Sequence, residues 1–281
     1  MTRYLWRDNE NLRSLTPCQD LLDAPLAPPP ASLVDVDFVT PGQGWGLTAA
    51  GALYATADGG GAWTAVSVPV AVGGIHLLSP AVGWAAGAGE ILTTTDGGAS
   101  WKVAQTLPGA PRWTGPAWFT WSSPNRGWAL LASGQGCASQ EPYLLYGTSD
   151  GGARWQLALT GTGACFPSTA PGTGTTVTGP PASVPFGPGG YPSGLWSAGP
   201  QQAGLAVSSP AGSNVQFITV GPGGAVTALP SVRGAFGFPV APTVDFVTPG
   251  DGWLAASTPH AGGLWHSTDG GASWQEAWEL P

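Results

Sequence analysis

Residues Gly83 to Trp101 read GWAAGAGEILTTTDGGASW. An apolar run opened by Gly-Trp leads into a Gly-Ala-Gly-Glu turn, and a second apolar run, Ile91–Leu92, follows it. That run ends on a hydroxyl residue, an aspartate and a glycine pair, after which Trp101 begins the return. Each part has a mechanical reason. An Asp in a tight turn accepts hydrogen bonds from the N–H groups of its own turn. Two glycines supply positive φ without a Cβ clash, which lets two strands reverse in a hairpin. A Trp on the returning strand covers the turn.

The stretch is one copy of several. The octet recurs as TADGGGAW (Thr56–Trp63), TTDGGASW (Thr94–Trp101), TSDGGARW (Thr148–Trp155) and STDGGASW (Ser267–Trp274). A decayed copy, TVGPGGAV (Thr219–Val226), has Gly221 in place of the Asp and Val226 in place of the Trp. Successive copies begin 38, 54, 71 and 48 residues apart. An apolar strand, a turn and a Gly-Trp strand precede each octet: VDFVTPGQGWGL from Val36, IHLLSPAVGWAA from Ile75, WFTWSSPNRGWAL from Trp118 and VDFVTPGDGWLA from Val244. LWSAGPQQAGLAV, from Leu195, takes that place in the fourth unit, with Leu205 where the others have Trp. Each unit therefore reads as four short strands, a to d. Four strands at this period make a propeller blade. The expected fold is an all-β propeller of four-stranded antiparallel blades over residues 31–281, with five recognisable repeats. Residues 1–30 form either an arm or a segment that closes the ring, which leaves a sixth blade open. Trp45, Trp84, Trp128 and Trp253 are expected to be buried between blades.

Composition agrees with many short strands. Gly (45) and Pro (29) exceed a quarter of the 281 residues, yet 15 Trp argue against disorder. The net charge is −8 with a single Lys, so the clustered cations that phosphate binding needs are missing and a nucleic-acid partner is excluded. No apolar run reaches the roughly 20 residues of a bilayer-spanning helix. The three His and three Cys do not fall at metal-ligand spacings, so neither metal nor cofactor is expected.

The octet resembles the Asp-box, or bacterial neuraminidase repeat, S/T-x-D-x-G-x-x-W. Coupled to the Gly-Trp strand, it is most similar to repeats of Ycf48/Hcf136-type photosystem II assembly factors. Similar boxes occur in sialidases, some glucan hydrolases and sortilin-type receptors. The resemblance implies the propeller and leaves function open, because these families share the box and not the chemistry. The box residues Asp58, Asp96, Asp150 and Asp269, with Trp63, Trp101, Trp155 and Trp274, are read as structural.

Strand order sorts the loops. The a–b turns and c–d hairpins share one end of each sheet; b–c loops and d-to-a connections share the other. Insertions fall at the second end, over 132–142, 161–193, 208–214, 230–243 and 257–263, and variable loops on a rigid scaffold are where function usually sits. The ligand-binding candidates there are Arg112, Trp113, Glu141, Tyr191, Arg233, Phe236 and His260. A sialidase-like site requires three converging arginines, but Arg126 and Arg154 sort to the box end and leave Arg112 and Arg233. No nucleophile elbow and no P-loop occur. The function expected is a non-catalytic binding or assembly scaffold for a protein or glycan partner; the alternative is a glycoside hydrolase or sialidase-like enzyme acting on extracellular glycans.

Cys137 and Cys165 each stand 14 residues from Gly151, the centre of the third hairpin, and are expected to form a disulfide. Such a bond implies an oxidising compartment, so an extracellular or cell-surface location is favoured although no signal peptide is visible.

Overall fold

A computed structural model of the chain describes residues 32–107, 113–136, 141–161, 191–209, 214–233, 242–257 and 262–280. The fold is a five-bladed β-propeller, each blade a four-stranded antiparallel sheet of consecutive strands paired in chain order. Sheet 1 comprises β1 (Leu33–Phe38), β2 (Gly44–Thr48), β3 (Leu53–Thr56) and β4 (Thr64–Val66). In sheet 2 these are β5 (Gly74–Leu77), β6 (Gly83–Gly87), β7 (Glu90–Thr94) and β8 (Lys102–Thr106). Sheet 3 has β9 (Ala117–Ser123), β10 (Arg126–Ala132), β11 (Tyr143–Thr148) and β12 (Gln156–Gly161). Sheet 4 has β13 (Tyr191–Gly199), β14 (Gln202–Ser209), β15 (Asn214–Val220) and β16 (Val226–Arg233). Sheet 5 ends the chain with β17 (Thr243–Phe246), β18 (Gly252–Ser257), β19 (Gly262–Ser267) and β20 (Gln275–Leu280). The segment considered for a sixth blade lies outside the described residues.

Burial explains the repeat's alphabet. The b strands β2 and β6 are buried at all five positions, so GWGLT and GWAAG carry no charge. The fourth strands are outer edges; TAV of β4 and KVAQT of β8 are largely exposed and hold the more polar residues.

The chain divides into two compact units, Met1–Ala85 with Leu92–Lys102, and Ala86–Ile91 with Val103–Pro281. In the first, Trp45, Leu47, Leu53, Ile75, Leu77, Ala85 and Leu92 form one core. Trp45 meets Trp101 with ring centroids 5.0 Å apart. Its indole also lies against the backbone of Gly83, where a Cβ would come within 2.5 Å of the ring. The Gly of that Gly-Trp pair therefore makes room for the preceding repeat's Trp. In the second unit, Trp128, Leu130 and Leu145 pack with Leu205, Ile218 and Val220. A further cluster stacks Trp196 on Phe246 at 4.6 Å and Phe217 on Trp274 at 4.9 Å.

Trp45, Trp84 and Trp128 are buried, at 3%, 2% and 5% exposure, but Trp253 is 36% exposed, contrary to the sequence expectation. Period-2 alternation sets it on the face of β18 away from the core shared with sheet 4, and its paired neighbour there is His266 rather than Ala55 or Gly147 as in sheets 1 and 3. Leu254 and Ala256 point into the core shared with sheet 4. Trp253 and Ala255 point to the other face, where the Trp253 ring stacks on His266 of the paired strand, 4.1 Å away.

Candidate functional site

Four hairpins share one hydrogen-bond scheme. The hydroxyl of Thr56, Thr94, Thr148 or Ser267 donates to the box Asp Oδ1 at 2.7–2.9 Å. The same hydroxyl accepts the N–H of the second glycine, Gly60, Gly98, Gly152 or Gly271. Asp Oδ1 also accepts the N–H four residues on, from Ala62, Ser100, Arg154 or Ser273. The first glycine then latches the hairpin to its own a–b turn. Gly59, Gly97, Gly151 and Gly270 donate to the carbonyls of Gly42, Ala81, Asn125 and Gly250 at 2.8–3.0 Å.

These bonds hold the box carboxylates ionised. The Ser100 hydroxyl and N–H, with the Thr94 hydroxyl, bring Asp96 down to about 2. The Ala62 N–H, then Thr56, lowers Asp58; the Arg154 N–H lowers Asp150; the Ser273 hydroxyl lowers Asp269. A carboxylate held by its own turn through Oδ1, and in Asp96 and Asp269 through Oδ2 as well, is poorly placed to transfer protons.

At the opposite end lie three of the candidates, Glu141 and Tyr191 at the β10–β11 loop and Trp113 beside Ala88 of the β6–β7 turn. Trp113 is half-buried, and its carbonyl accepts the N–H of Ala88, a non-glycine residue at φ +49°. Ala132 donates to Pro116 O at 3.0 Å, and Ser133 to Pro142 O at 2.9 Å. Within that loop Glu141 is 9% exposed, and its Oε1 accepts the Gly134 N–H at 2.6 Å. Burial raises its pKa, with the Gly134 bond opposing. Tyr191 is half-buried against Gly136, whose Cβ position is 2.7 Å from the phenol oxygen. Glu141 thus ties down a loop. Arg233 ends β16 opposite Asn214. Arg112, Phe236, His260, Cys137 and Cys165 lie outside the described residues. A bulge between Leu145 and Tyr146 puts Tyr143 opposite Gly161, so equal counting from Gly151 does not translate into equal pairing along this ladder.

The box end of sheet 3 holds a groove that the loop argument passed over. It has a volume of about 380 Å³ and is lined by Arg126, Arg154, Trp128, Gln156, Pro222 and Gly223, among others. Pro222 and Gly223 belong to a 3₁₀ turn, Pro222–Gly224, which is the decayed fourth hairpin. The turn packs against β12. Two single-repeat departures could have pointed to the groove. Arg126 stands where other repeats have Gln43, Val82 and Asp251, and Arg154 where they have Ala62, Ser100 and Ser273. Both arginines fall in the third repeat. Among the described residues no group of three or more His, Cys, Asp or Glu is placed to hold a metal ion, and no helix is long and apolar enough to cross a membrane.

Comparison with known proteins bears on this arrangement. Residues 23–162 match the model of the family described as photosynthesis system II assembly factor YCF48. No curated protein sequence matches the chain. Among solved structures, YCF48 from Cyanidioschyzon merolae is similar with a TM-score of 0.50 at 18% identity, over 89% of this chain and 86% of that one. A YCF48 bound to a D1 peptide matches at 18% identity with a TM-score of 0.42, over 89% and 82% of the two chains. The GH74 enzyme of Niastella koreensis gives a TM-score of 0.54 at 14% identity, with 87% of this chain spanning 38% of that protein. At such identities the likenesses with TM-scores of 0.50 and 0.54 speak for the fold alone. Over residues 23–162 the repeats of the chain belong to the YCF48 family.

Proposed function

We propose that the protein is a non-catalytic scaffold that holds a protein partner. The observation that carries this reading is the match of residues 23–162 to a family of assembly factors. The geometry favours it as well. Each intact hairpin is fastened to its sheet by a backbone latch and keeps its carboxylate for its own turn. Glu141 is occupied with the Gly134 N–H. A rigid support with its acids engaged is suited to presenting surface, and a peptide such as the D1 peptide bound to a YCF48 protein is the partner class to try first. The test is titration of the purified protein, by calorimetry, with a D1 peptide and with a glycan panel, alongside an aryl-glycoside hydrolysis assay. Peptide binding without turnover is expected. Glycan binding or turnover without peptide binding would overturn the scaffold reading in favour of a carbohydrate-active protein.

Export and a Cys137–Cys165 bond belong to the same proposal. Their support is the placement of the two cysteines on either side of the third hairpin and the oxidising compartment a stable bond requires. Titration of unfolded, unreduced protein should find one thiol of the three; three reactive thiols would remove the bond and the argument for export with it.

A further inference from the structure

We propose that the face of sheet 5 turned away from sheet 4 is a docking surface for a basic, extended segment of a partner protein, whose Lys or Arg lies over the Trp253 ring and meets the Asp251 carboxylate. The inference rests on the scaffold reading and adds a place and a chemistry to it.

The same face has another use in earlier sheets. In sheet 1, Trp45, Leu47 and Leu53 are buried with Ile75, Leu77, Ala85 and Leu92 of sheet 2. In sheet 3, Trp128, Leu130 and Leu145 are buried in the same way with Leu205, Ile218 and Val220 of sheet 4. The pairing of β18 with β19 puts Trp253, Ala255, Leu264 and His266 at the matching positions of sheet 5. Ala255 therefore stands for Leu47 or Leu130, and His266 for Ala55 or Gly147. A large apolar group is gone and an imidazole has come in, so the face lacks the filling that a second sheet packs on in sheets 1 and 3. Its side chains are open to solvent. Trp253 and Ala255 are exposed and Leu264 is half-buried. On the edge strand β20, Trp278 stands opposite Leu264 and is exposed as well.

The polar groups belong to this repeat alone. His266 stacks on Trp253 with ring centroids 4.1 Å apart and 17° between the planes, which covers one side of the indole. Its Nε2 lies 2.7 Å from Asp251 Oδ1. That bond holds the half-buried Asp251 carboxylate on the face, and among the described residues Oδ2 makes no hydrogen bond. The first three repeats have Gln43, Val82 and Arg126 in Asp251's place.

Charge selects the ligand. Residues 234–281 hold five acids, Asp245, Asp251, Asp269, Glu276 and Glu279, and no Lys or Arg. An indole attracts a cation held within about 6 Å of its ring centre, and a neighbouring carboxylate adds to that attraction. A guanidinium suits both, since it stacks on aromatic rings and forks onto carboxylates. Acidic segments and phosphates are repelled. Trp278 lies two strand spacings across and two residues along from Trp253, about 12 Å, which an extended chain spans in three or four residues. A segment with a basic residue and an apolar one at that separation covers both rings.

The test is fluorescence anisotropy at pH 8 and low ionic strength. Three labelled Leu- and Ala-rich peptides, acetylated and amidated, carry a central Arg, Lys or citrulline, the last a neutral likeness of Arg. Binding of the Arg or the Lys peptide at least about fivefold tighter than the citrulline peptide is expected, and the tighter of the two identifies the cation. Trp253→Leu should abolish the preference; the fourth repeat carries Leu205 at that place. Asp251→Asn should reduce it, and Asp251→Glu should restore part. Should Trp253→Leu fail to fold, by thermal melting, the Asp251 pair carries the test. Equal binding of the three peptides, binding of none, or a preference that survives in both Trp253→Leu and Asp251→Asn would overturn the docking face. So would a second copy seated there, seen in sedimentation as a wild-type dimer that Trp253→Leu makes monomeric. A D1 peptide that binds wild type while the three probes bind equally leaves the scaffold reading and removes this face. If the D1 peptide fails to bind while the basic probes bind through Trp253 and Asp251, the scaffold reading fails and the face stands.

Discussion

The hairpins at Gly97–Gly98 and Gly223–Gly224 share a pair of positive-φ glycines and little else. Their glycines sit at φ of 72° and 93° in the first and 71° and 79° in the second. Around the first, Thr94 and Asp96 fill the turn with hydrogen bonds, Gly97 latches to Ala81, and Trp101 packs on Trp45. Around the second there is no carboxylate; Gly221 donates to Ala225 O, Gly224 donates to Gly221 O, and Val226 follows where the Trp would be. The positive φ values therefore belong to the glycine pair, which tolerates φ that other residues resist. The Asp, the hydroxyl and the Trp fasten the intact turn. The fourth hairpin is shorter, with five residues between the paired Val220 and Val226 against eight between Gly147 and Gln156; Pro222, which has no N–H to donate, stands at the latching glycine's place in the octet, and the turn forms a wall of the groove.

The largest effect expected from this difference is at the Trp. Trp101→Ala removes a ring packed on Trp45 and into the core of the first unit, at a cost of about 3–5 kcal/mol. Val226→Ala, at the equivalent place of the fourth hairpin, should cost about 1 kcal/mol, since only two methyl groups of a partly buried side chain are lost. Chemical denaturation midpoints compare the two. Equal losses would mean that the fourth hairpin is fastened by contacts of comparable strength.

A smaller effect separates the first glycines. Alanine at either Gly97 or Gly223 must adopt positive φ, which costs about 1–2 kcal/mol. At Gly97 the new Cβ also meets Pro80 O at 2.8 Å, so the hairpin must shift off its latch. Gly97→Ala should therefore destabilise by about 1 kcal/mol more than Gly223→Ala, whose Cβ enters open space. The comparison is read in thermal midpoints, and reversal of the order would place the fourth hairpin in tighter surroundings than the groove allows.

The contrast also shows which part of the molecule a sequence exposes. The octets and the Gly-Trp strands announced five sheets and their strand order, because each unit repeats a local rule: Gly for the turn, alternation for the strand, Trp for the cover. Trp253 escaped that logic. Repeat equivalence predicts burial, but burial depends on what faces the ring, and the equivalent position on the paired strand is His266 in sheet 5 but Ala55 in sheet 1 and Gly147 in sheet 3. The candidate site was legible only in part. Glu141 and Tyr191 both meet the β10–β11 loop, at Gly134 and Gly136, while Trp113 meets Ala88; Glu141's bond to Gly134 is a loop contact that composition does not reveal. The groove was visible as two arginines confined to one repeat. Sorting loops by length alone placed them at the less variable end and set them aside.

The smallest expected effect concerns protons. Asp96 lies near 2 in the folded chain, against an ordinary value of 3.8, because Ser100 and Thr94 stabilise its charged form. A carboxyl with a lower pKa folded than unfolded contributes stability above the unfolded value. That contribution is lost as pH falls from about 4 toward 2, where the folded group takes up its proton. Asp58, Asp150 and Asp269 are lowered in the same direction by their own turns, so the four intact hairpins weaken together in acid. The fourth hairpin, with Gly221 in place of Asp, has no such group to lose. Asp96→Asn should lower the thermal midpoint at pH 7 and flatten its fall between pH 4 and pH 2, since one of the proton uptakes driving the fall is gone. Gly221→Asp should do the reverse if the carboxylate reaches the Ala225 N–H, steepening the acid limb without strain, because Gly221 already has an extended backbone at φ −90°. These carboxylates face solvent, where screening keeps ion and hydrogen-bond effects small, so the readout is the slope of midpoint against pH rather than its height. Parallel wild-type and Asp96→Asn profiles across that window would show that the box carboxylate keeps its charge without lending stability. The hydroxyl, latch and Trp would then account for the whole difference between an intact hairpin and the decayed one.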